Sequence, residues 1–200
     1  MPEVAPVLIV GVVAGRVEAE LVGGRLVCPS CCGVLGPWGH ARERVLRCAG
    51  GDRRLRPRRA KCRGCAGTHV LLPACCLLRR RDEVGVIGAA LEAMAAGVGH
   101  RPIALRLGRP KDTVRGWLRR FARDARGIRA HFSRWVFALD CELGAVAPAG
   151  GGFADALEAV GIAVRAWVLR LGRGAPWQVA SRLAGGVLLC HTSCPFPAVA

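Results

Sequence analysis

Two pairs of closely spaced cysteines restrict the fold of this chain more than any other feature of its sequence. Cys28 and Cys31 form one Cys-x2-Cys turn, and Cys62 and Cys65 form the other. Such a turn can direct two sulfurs at one tetrahedral cation, so two turns supply a closed four-thiolate shell. The spacing therefore predicts a Zn²⁺ site at these four residues. The alternative is a set of free thiols, because free cysteine is often a small buried hydrophobe.

The segment between the two pairs predicts a long hairpin. Thirty residues separate the pairs, more than the roughly 15–20 of the commonest zinc pattern. Residues 38–47 and 53–61 are predicted as the two strands, with a tight turn at 50–52. Gly33 and Gly67 follow the two pairs, where a sharply folded backbone often needs positive φ. The hairpin would leave one cysteine turn and return to the other.

The predicted hairpin is rich in cations. Nine lysines and arginines lie along its arms, opposed by one glutamate and one aspartate. Cations at this density repel each other unless an anion is present, which favours contact with nucleic-acid phosphates. The alternative is a solvated charged face. The arginines predicted as phosphate contacts are Arg53, Arg54, Arg56, Arg58 and Arg59.

Charge is distributed unevenly along the chain. Lys and Arg number 30 against 14 Asp and Glu, a formal net charge of +16. Residues 1–124 hold 23 basic and 10 acidic side chains, whereas residues 125–200 hold 7 and 4. This asymmetry indicates a part that binds a polyanion, joined to a part that serves packing.

The N-terminal sequence and the spacing of the cysteines indicate the cellular compartment of the protein. Met1-Pro-Glu-Val has an acid where a signal peptide would be basic, and the apolar run 7–14 is too short to span a bilayer. In a reducing cytoplasm, paired Cys-x2-Cys turns favour metal binding over disulfides. We therefore expect a cytoplasmic, nucleoid-associated protein without membrane contact.

From Asp82 onward the apolar residues recur with a helical period. The pattern predicts a helix over 84–94 with Asp82 as its N-cap, and a short helix over 102–107. A Gly-containing turn at 108–110 leads into a third helix over 111–123. This succession has the layout of a helix-turn-helix.

The third predicted helix has two different faces. Val114, Trp117, Leu118 and Phe121 form an apolar stripe for the core. Polar residues on the other face would reach DNA in the major groove, and Gly116 would leave space for close approach. The alternative is an amphipathic helix with a cationic solvent face. The predicted DNA-binding residues are Lys111, Asp112, Thr113, Arg115, Arg119, Arg120 and Arg123.

The remaining chain reads as helical packing structure. Apolar stripes recur through 125–200, with a short last helix over 176–189, and they suit a core or a homodimer face. The predicted fold class is α+β, with three parts: a strand and small β zinc ribbon (1–78), a homeodomain-like helix-turn-helix (79–124) and a C-terminal helical bundle (125–200). Cys48 is interpreted as a non-ligand, whereas Cys190, His191 and Cys194 form a weak candidate for a second metal site, and the sequence leaves metal binding by these four residues open.

Several motifs resemble those of a known group of proteins. The runs at 28–31, 37–44, 56–65 and 68–73 resemble small actinobacterial proteins of uncharacterised function that combine a zinc ribbon with a helix-turn-helix. The run at 103–118, Ile-Ala-Leu-Arg-Leu-Gly-Arg-Pro-Lys-Asp-Thr-Val-Arg-Gly-Trp-Leu, is similar to the N-terminal DNA-binding region of bacterial transposases.

The resemblance covers roughly residues 20–145 and concerns binding. It implies zinc at the four paired cysteines and DNA contact by the helix that begins near Lys111. Where the resembling proteins tend to have glycine after the first pair, this chain has Cys32. The group carries no established activity, so the resemblance supports binding rather than a reaction.

The acids of the C-terminal part bear on catalysis. Transposases cut DNA with a carboxylate triad that holds two metals on a strand-rich domain. Here only Asp140, Glu142, Asp155 and Glu158 follow residue 125, in helical surroundings. We therefore expect no enzyme but a zinc-containing, sequence-specific protein that binds double-stranded DNA, either a transposase-like DNA-binding front end or a transcriptional regulator. The alternatives are a remnant or accessory subunit of a transposase, and a zinc-stabilised RNA-binding or protein-interaction module.

Overall fold

The computed structural model describes residues 7–143 and 147–190. Within them lie six strands and six α-helices, plus a single 3-10 turn at Cys141–Leu143, which confirms the predicted mixture of helix and strand. The strands are β1 (Val7–Val10), β2 (Leu35–His40), β3 (Arg44–Cys48), β4 (Gly51–Leu55), β5 (Arg58–Cys62) and β6 (Thr68–Pro73). The helices are α1 (Ala14–Val22), α2 (Val84–Ala95), α3 (His100–Leu107), α4 (Lys111–Leu139), α5 (Gly152–Leu171) and α6 (Pro176–Leu183).

Four of the strands form one sheet, in the order β1-β6-β5-β2. β1 is parallel to β6, with Val7 opposite Val70, and the other two pairings are antiparallel. The first cysteine turn precedes β2, and the second joins β5 to β6. Because β2 pairs with β5, with Leu35 opposite Cys62, the sheet brings the two cysteine turns to the same end.

The predicted hairpin is present, but each of its arms is broken into two strands. The prediction of uninterrupted strands over 38–47 and 53–61 is wrong, because β2 and β3 are separated at 41–43 and β4 and β5 at 56–57. Pro57 has no N–H for the sheet, and its carbonyl instead accepts from the Ala41 N–H at 2.8 Å. Among the six strands, β3 and β4 therefore pair with each other, and Arg47 of β3 adds an isolated bridge to Asp82.

The third helix of the predicted trio is much longer than expected. α4 has 29 residues and crosses the domain boundary predicted at 124. Its apolar stripe continues through Ile128, Phe132 and Val136, all buried in one cluster shared by residues of α2 to α6. The helices therefore form one core on both sides of residue 124. None of the described helices is long and apolar enough to cross a membrane.

The last two helices pack against α4 and against each other. α5 runs beside α4 in the same direction, since Phe153 contacts Phe121 at a centroid distance of 4.8 Å and Arg170 lies 3.7 Å from Asp140. α6 ends at Leu183 rather than at 189. Gly185 and Gly186 follow with φ of 56° and 75°, a conformation that glycine favours and that an α-helix cannot continue.

Asp82 connects the β3–β4 hairpin to the helices instead of capping α2. Glu83 precedes α2, and no side chain makes a cap hydrogen bond there. The Asp82 carboxylate is buried and accepts from Arg47 and from Arg109, each at 2.6 Å. Arg109 lies in the turn between α3 and α4 and also donates to the Cys48 carbonyl at 3.0 Å. One carboxylate thus holds three segments together.

Gly88 provides a test of the contact between α2 and α6. A Cβ placed on Gly88 would lie 2.1 Å from the Trp177 indole, whose Nε1 donates to Glu92 at 2.7 Å. We expect Gly88→Ala to destabilise the protein by about 1–3 kcal/mol, because the indole must leave its place. Gly85→Ala, on the same helix with nothing within 4 Å of the new Cβ, is the control and should be neutral or stabilising by up to about 1 kcal/mol. Urea unfolding measures both, and equal midpoints would contradict this packing.

Candidate metal centre

The four predicted cysteine ligands meet in one cluster. The Sγ atoms of Cys28, Cys31, Cys62 and Cys65 all lie within 4.8 Å of one another. Across the two turns, Cys28 Sγ lies 3.8 Å from Cys65 Sγ, and Cys31 Sγ lies 3.4 Å from Cys62 Sγ. Tetrahedral zinc with bonds of about 2.3 Å requires sulfurs about 3.8 Å apart. The described cluster therefore fits a tetrahedral metal ion.

The two cysteine turns are built in the same way. In the first, the Cys28 N–H donates to the Gly33 carbonyl at 2.8 Å, and in the second the Cys62 N–H donates to the Gly67 carbonyl at 2.8 Å. Each bond closes a loop that begins at the first cysteine of a pair and ends at the glycine two residues past the second. The sulfurs of each pair are thereby held on the same side of the turn.

The glycines after the pairs provide space rather than positive φ. The left-handed positions are the residues before them, Cys32 with φ 58° and Ala66 with φ 60°, so the expectation of positive φ at Gly33 and Gly67 is wrong. A Cβ on Gly33 would lie 3.0 Å from Cys62 Sγ, and one on Gly67 would lie 3.3 Å from Cys65 Sγ. Both glycines are therefore needed because the sulfurs approach the backbone closely.

Backbone N–H groups stabilise the thiolate form of the first cysteine in each turn. Burial raises the pKa of the Cys28 thiol, but hydrogen bonds led by that of the Ser30 N–H outweigh burial, and the pKa falls to about 6. Hydrogen bonds from the N–H groups of Cys65 and Gly64 lower the pKa of Cys62 against the effect of its burial. The thiolate is the metal-binding form of cysteine, so the turns prepare two ligands for a cation.

His69 belongs to this centre and is not among the residues predicted from the sequence. Its ring is 1% exposed, with Nε2 3.3 Å from Cys28 Sγ and Nδ1 without a hydrogen-bond partner. An Nε2–H donor would reduce the charge of the Cys28 thiolate, as residues behind metal ligands commonly do. The spacing Cys65-x3-His69, at the start of a strand, is the sequence signal that points to this residue.

The other cysteines with potential ligand roles lie outside the cluster. Cys48 is half-buried at the end of β3, and its thiol donates to the Leu46 carbonyl at 3.6 Å. Cys190 is half-buried, while His191 and Cys194 fall outside the described residues. Among the residues that the structure describes, the four paired cysteines are the single group of three or more potential ligands close enough to hold a metal.

The polar face predicted on α4 is largely exposed, but its last two residues, Arg120 and Arg123, contact other parts of α4. The Arg120 guanidinium lies 2.9 Å from where a Gly116 Cβ would be, so it covers the space expected to be open. Arg123 forms two 3.0 Å hydrogen bonds with the Asp124 carboxylate. The exposed residues are Lys111, Asp112, Arg115, Arg119 and Arg123, whereas Thr113 and Arg120 are half-buried.

The five hairpin arginines have different surroundings. Arg58 is half-buried and forms a bidentate pair with Glu18 of α1, at 2.8 and 3.0 Å. Arg56 is exposed and has no ion pair within the described ranges. The other three have weaker or more exposed partners: Arg53 with Glu83 at 3.8 Å, Arg54 with Glu43 at 2.8 Å and Arg59 with Thr68 at 3.3 Å. Arg58 therefore holds α1 to β5, and Arg56 is the most available to an external anion.

Comparisons with known proteins add no assignment to this geometry. No protein-family model matches the chain, and no match was found among curated proteins or solved structures. The resemblance to zinc-ribbon and transposase-like proteins thus stays a prediction from the motifs.

Proposed function

We propose that this protein is a zinc-containing, sequence-specific DNA-binding protein without a catalytic domain of its own. It would act as a transposase-like DNA-binding front end or as a transcriptional regulator. The observation that carries the proposal is the exposed, cationic N-terminal face of α4, where Lys111, Arg115 and Arg119 follow a turn of three residues after α3. In a helix-turn-helix, the second helix lies in the major groove in this way.

The packing around the turn supports a rigid recognition helix. α3 ends at Gly108, which adopts the left-handed conformation with φ 60°, and Arg109 in the turn is bound to the buried Asp82. Val114 and Trp117 of α4 are buried against the other helices. The side chains of the first two turns are then presented from a fixed backbone, and direct base recognition depends on such fixed geometry.

The proposed zinc ion would have a structural role. Four thiolates form a closed shell without an open position for water or substrate, and soft sulfur ligands favour zinc over hard cations such as Mg²⁺. The ion would fix the end of the sheet where β2, β5 and β6 meet. His69 would support it by donating to Cys28. No reaction step needs this metal.

The C-terminal acids support binding rather than catalysis. Asp155 pairs with Arg129 at 3.2 Å, and Glu158 pairs with Arg165 at 3.1 Å. Asp140 lies 3.7 Å from Arg170 at the far ends of α4 and α5. These carboxylates neutralise arginines along the helices, and we propose that they hold no catalytic metal. Function in the cytoplasm, on the nucleoid, follows from this proposal.

Substitutions of two arginines of α4 distinguish recognition of the base sequence from nonspecific attraction to DNA phosphates. Arg115 lies in the second turn of α4, so Arg115→Ala should cost roughly 1–3 kcal/mol on the preferred duplex and relax the choice of base there. Arg119 is better placed for the phosphate backbone of DNA. Arg119→Ala should therefore weaken binding to all duplexes about equally, and it should lower the slope of log affinity against log salt concentration by about one. Binding titrations on matched and scrambled duplexes at several salt concentrations measure both effects.

The control for this series is a variant away from the helix face. Arg165→Ala on α5 removes an exposed arginine that pairs with Glu158 and should leave base preference unchanged. Circular dichroism should show every variant folded. Parallel losses for Arg115→Ala and Arg119→Ala on all duplexes would contradict base reading and leave a nonspecific phosphate clamp.

A homodimer through the C-terminal helices is part of the proposal. Phe137 is 70% exposed and Leu169 is 83% exposed, and both lie near the ends of α4 and α5 that Asp140 and Arg170 bring together. A second copy would cover these side chains and present two recognition helices to a paired DNA site. We expect Phe137→Lys with Leu169→Lys to give a monomer by analytical ultracentrifugation, and unchanged mass would contradict the dimer face.

A second candidate function rests on a different surface. Trp38 is 52% exposed on β2, and Lys61 Nζ lies 4.5 Å from the centre of its ring. An exposed aromatic beside a cation suits stacking with an unpaired base, which would favour a zinc-stabilised RNA-binding module. Stronger competition by single-stranded RNA than by duplex DNA, lost in Trp38→Ala, would support this candidate over the first.

A further inference from the structure

A cavity lies between the strand-bearing and helical parts of the protein. Its volume is about 680 Å³, within the range of about 300–1,000 Å³ typical of small-molecule sites. One wall comes from the end of β1, the start of α1 and Leu26–Val27. The other comes from the C-terminal end of α5, the loop after it, and α6. No residue of α4 lines it, so the cavity is separate from the proposed DNA surface.

The walls of the cavity combine apolar and polar surface, with apolar side chains on both sides. Leu26 lies on the strand-bearing side, and Trp167, Leu171 and Val179 lie on the helical side. Trp167 is half-buried, and Leu171 is 62% exposed. An apolar body of moderate size would therefore gain burial against both walls.

The charged side chains of the cavity are mostly arginines. Arg16, Arg25, Arg173 and Arg182 line it, with Glu20 as the one acid among the described lining residues. Glu20 is 3.2 Å from Arg16. Arg25, Arg173 and Arg182 have no ion pair within the part of the chain that the structure describes. The cavity thus carries a surplus of positive charge that the protein does not neutralise.

The position of the cavity in the fold also favours an anion. It lies at the carboxyl ends of the parallel strands β1 and β6, where Gly11 and Ala74 line it, an edge at which parallel sheets commonly bind ligands. Three residues separate β1 from α1, and α1 has no acid in its first turn. Arg182 reaches this edge, since its Nη2 would lie 3.6 Å from a Cβ on Gly11.

We propose that this cavity binds a small amphipathic anion, with an apolar body and one carboxylate or phosphate headgroup. The headgroup pairs with Arg173 and Arg182, and the body packs between Leu26 and Trp167. Arginine suits both headgroups, since its guanidinium can make paired hydrogen bonds to carboxylate or phosphate. The cavity is concave and has apolar side chains on both walls, so a ligand with an apolar body suits it better than the backbone of a nucleic acid.

The test uses the zinc-loaded full chain and three probes with the same alkyl body: decanoate, decyl phosphate and decanol. Isothermal titration should show one saturable site per chain for at least one anion. The neutral alcohol should bind at least about tenfold more weakly, because it lacks a charged hydrogen bond to arginine. A preference between decanoate and decyl phosphate identifies the headgroup. No saturable anion binding, or equal binding of anions and alcohol, overturns the proposal.

Three variants tie the binding to this cavity. Arg173→Gln with Arg182→Gln should weaken the preferred anion at least about tenfold, as the loss of one charged hydrogen bond already requires. Leu171→Asp should weaken it as well, because it places a carboxylate in the cavity wall, where it repels an anion. Both changes fall on exposed residues, and Arg165→Gln on α5, outside the cavity, should have no effect. Unchanged binding in the double variant and in Leu171→Asp overturns the assignment.

Discussion

Replacing Cys62 by Ser should release the zinc ion and unfold the sheet around it. Cys62 is buried, accepts from the Gly64 N–H at 3.3 Å and lies 3.4 Å from Cys31 Sγ of the other turn. Structural zinc contributes about 10–16 kcal/mol of apparent binding free energy in small zinc domains, which is as large as the whole free energy of unfolding of a typical domain, about 5–15 kcal/mol. Elemental analysis should find one zinc per chain in the wild type and well below one in the variant.

Cys32→Ser is the matched control for this experiment. Cys32 follows the first pair directly and is exposed, but its sulfur lies outside the four-cysteine group. The control should keep one zinc per chain and the circular dichroism spectrum of the wild type. Full zinc retention in Cys62→Ser would contradict the four-thiolate site, and loss of zinc in Cys32→Ser would show that the ligand set is different.

Replacing Asp82 by Ala should destabilise the protein by about 3–5 kcal/mol. The Asp82 carboxylate is 2% exposed, and it neutralises the positive charges of both Arg47 and Arg109. Removing one partner of a buried ion pair leaves the other charge buried without compensation. This destabilises the folded state more than replacing both partners does. Arg109 suffers most, because its side chain is only 13% exposed. The free energy of unfolding in urea measures the effect.

Glu43→Ala is the control for Asp82. Glu43 pairs with Arg54 at 2.8 Å, but the two side chains are 48% and 79% exposed, so the loss should stay below about 1 kcal/mol. Equal costs for the two variants would contradict a central role for Asp82. Arg109 lies in the turn before α4 and is held by Asp82. Asp82→Ala should therefore also weaken DNA binding under conditions in which the protein is still folded.

The metal cluster could be predicted from the sequence because its signal is local. The sulfurs of a Cys-x2-Cys turn face one way whatever surrounds the turn, and strand pairing then brings two turns together. His69 has a weaker signal, the spacing Cys65-x3-His69, because its approach to Cys28 depends on the register between β5 and β6. The same holds for the glycines, whose contacts with sulfur appear only once both turns are in place.

Predictions of a side chain's role were less accurate where its hydrogen-bond or ion-pair partner lies far away in the sequence. Asp82 could cap a helix or bind arginines, and its partner Arg109 lies 27 residues away. Counting arginines along the hairpin likewise could not show that Arg58 binds Glu18, which is 40 residues distant. The sequence predicted helix on both sides of Asp124 but divided it between two domains, whereas one continuous helix runs from Lys111 to Leu139.

We propose that the chain reads DNA sequence with the exposed face of α4. Selection of bound sequences from a random duplex pool, using the zinc-loaded full chain, measures whether it does. We expect a defined motif to be enriched, and we expect Arg115→Ala to lose preference at one position of that motif while Arg165→Ala retains it. A pool that stays random after repeated selection, despite binding at low salt, would contradict sequence-specific recognition.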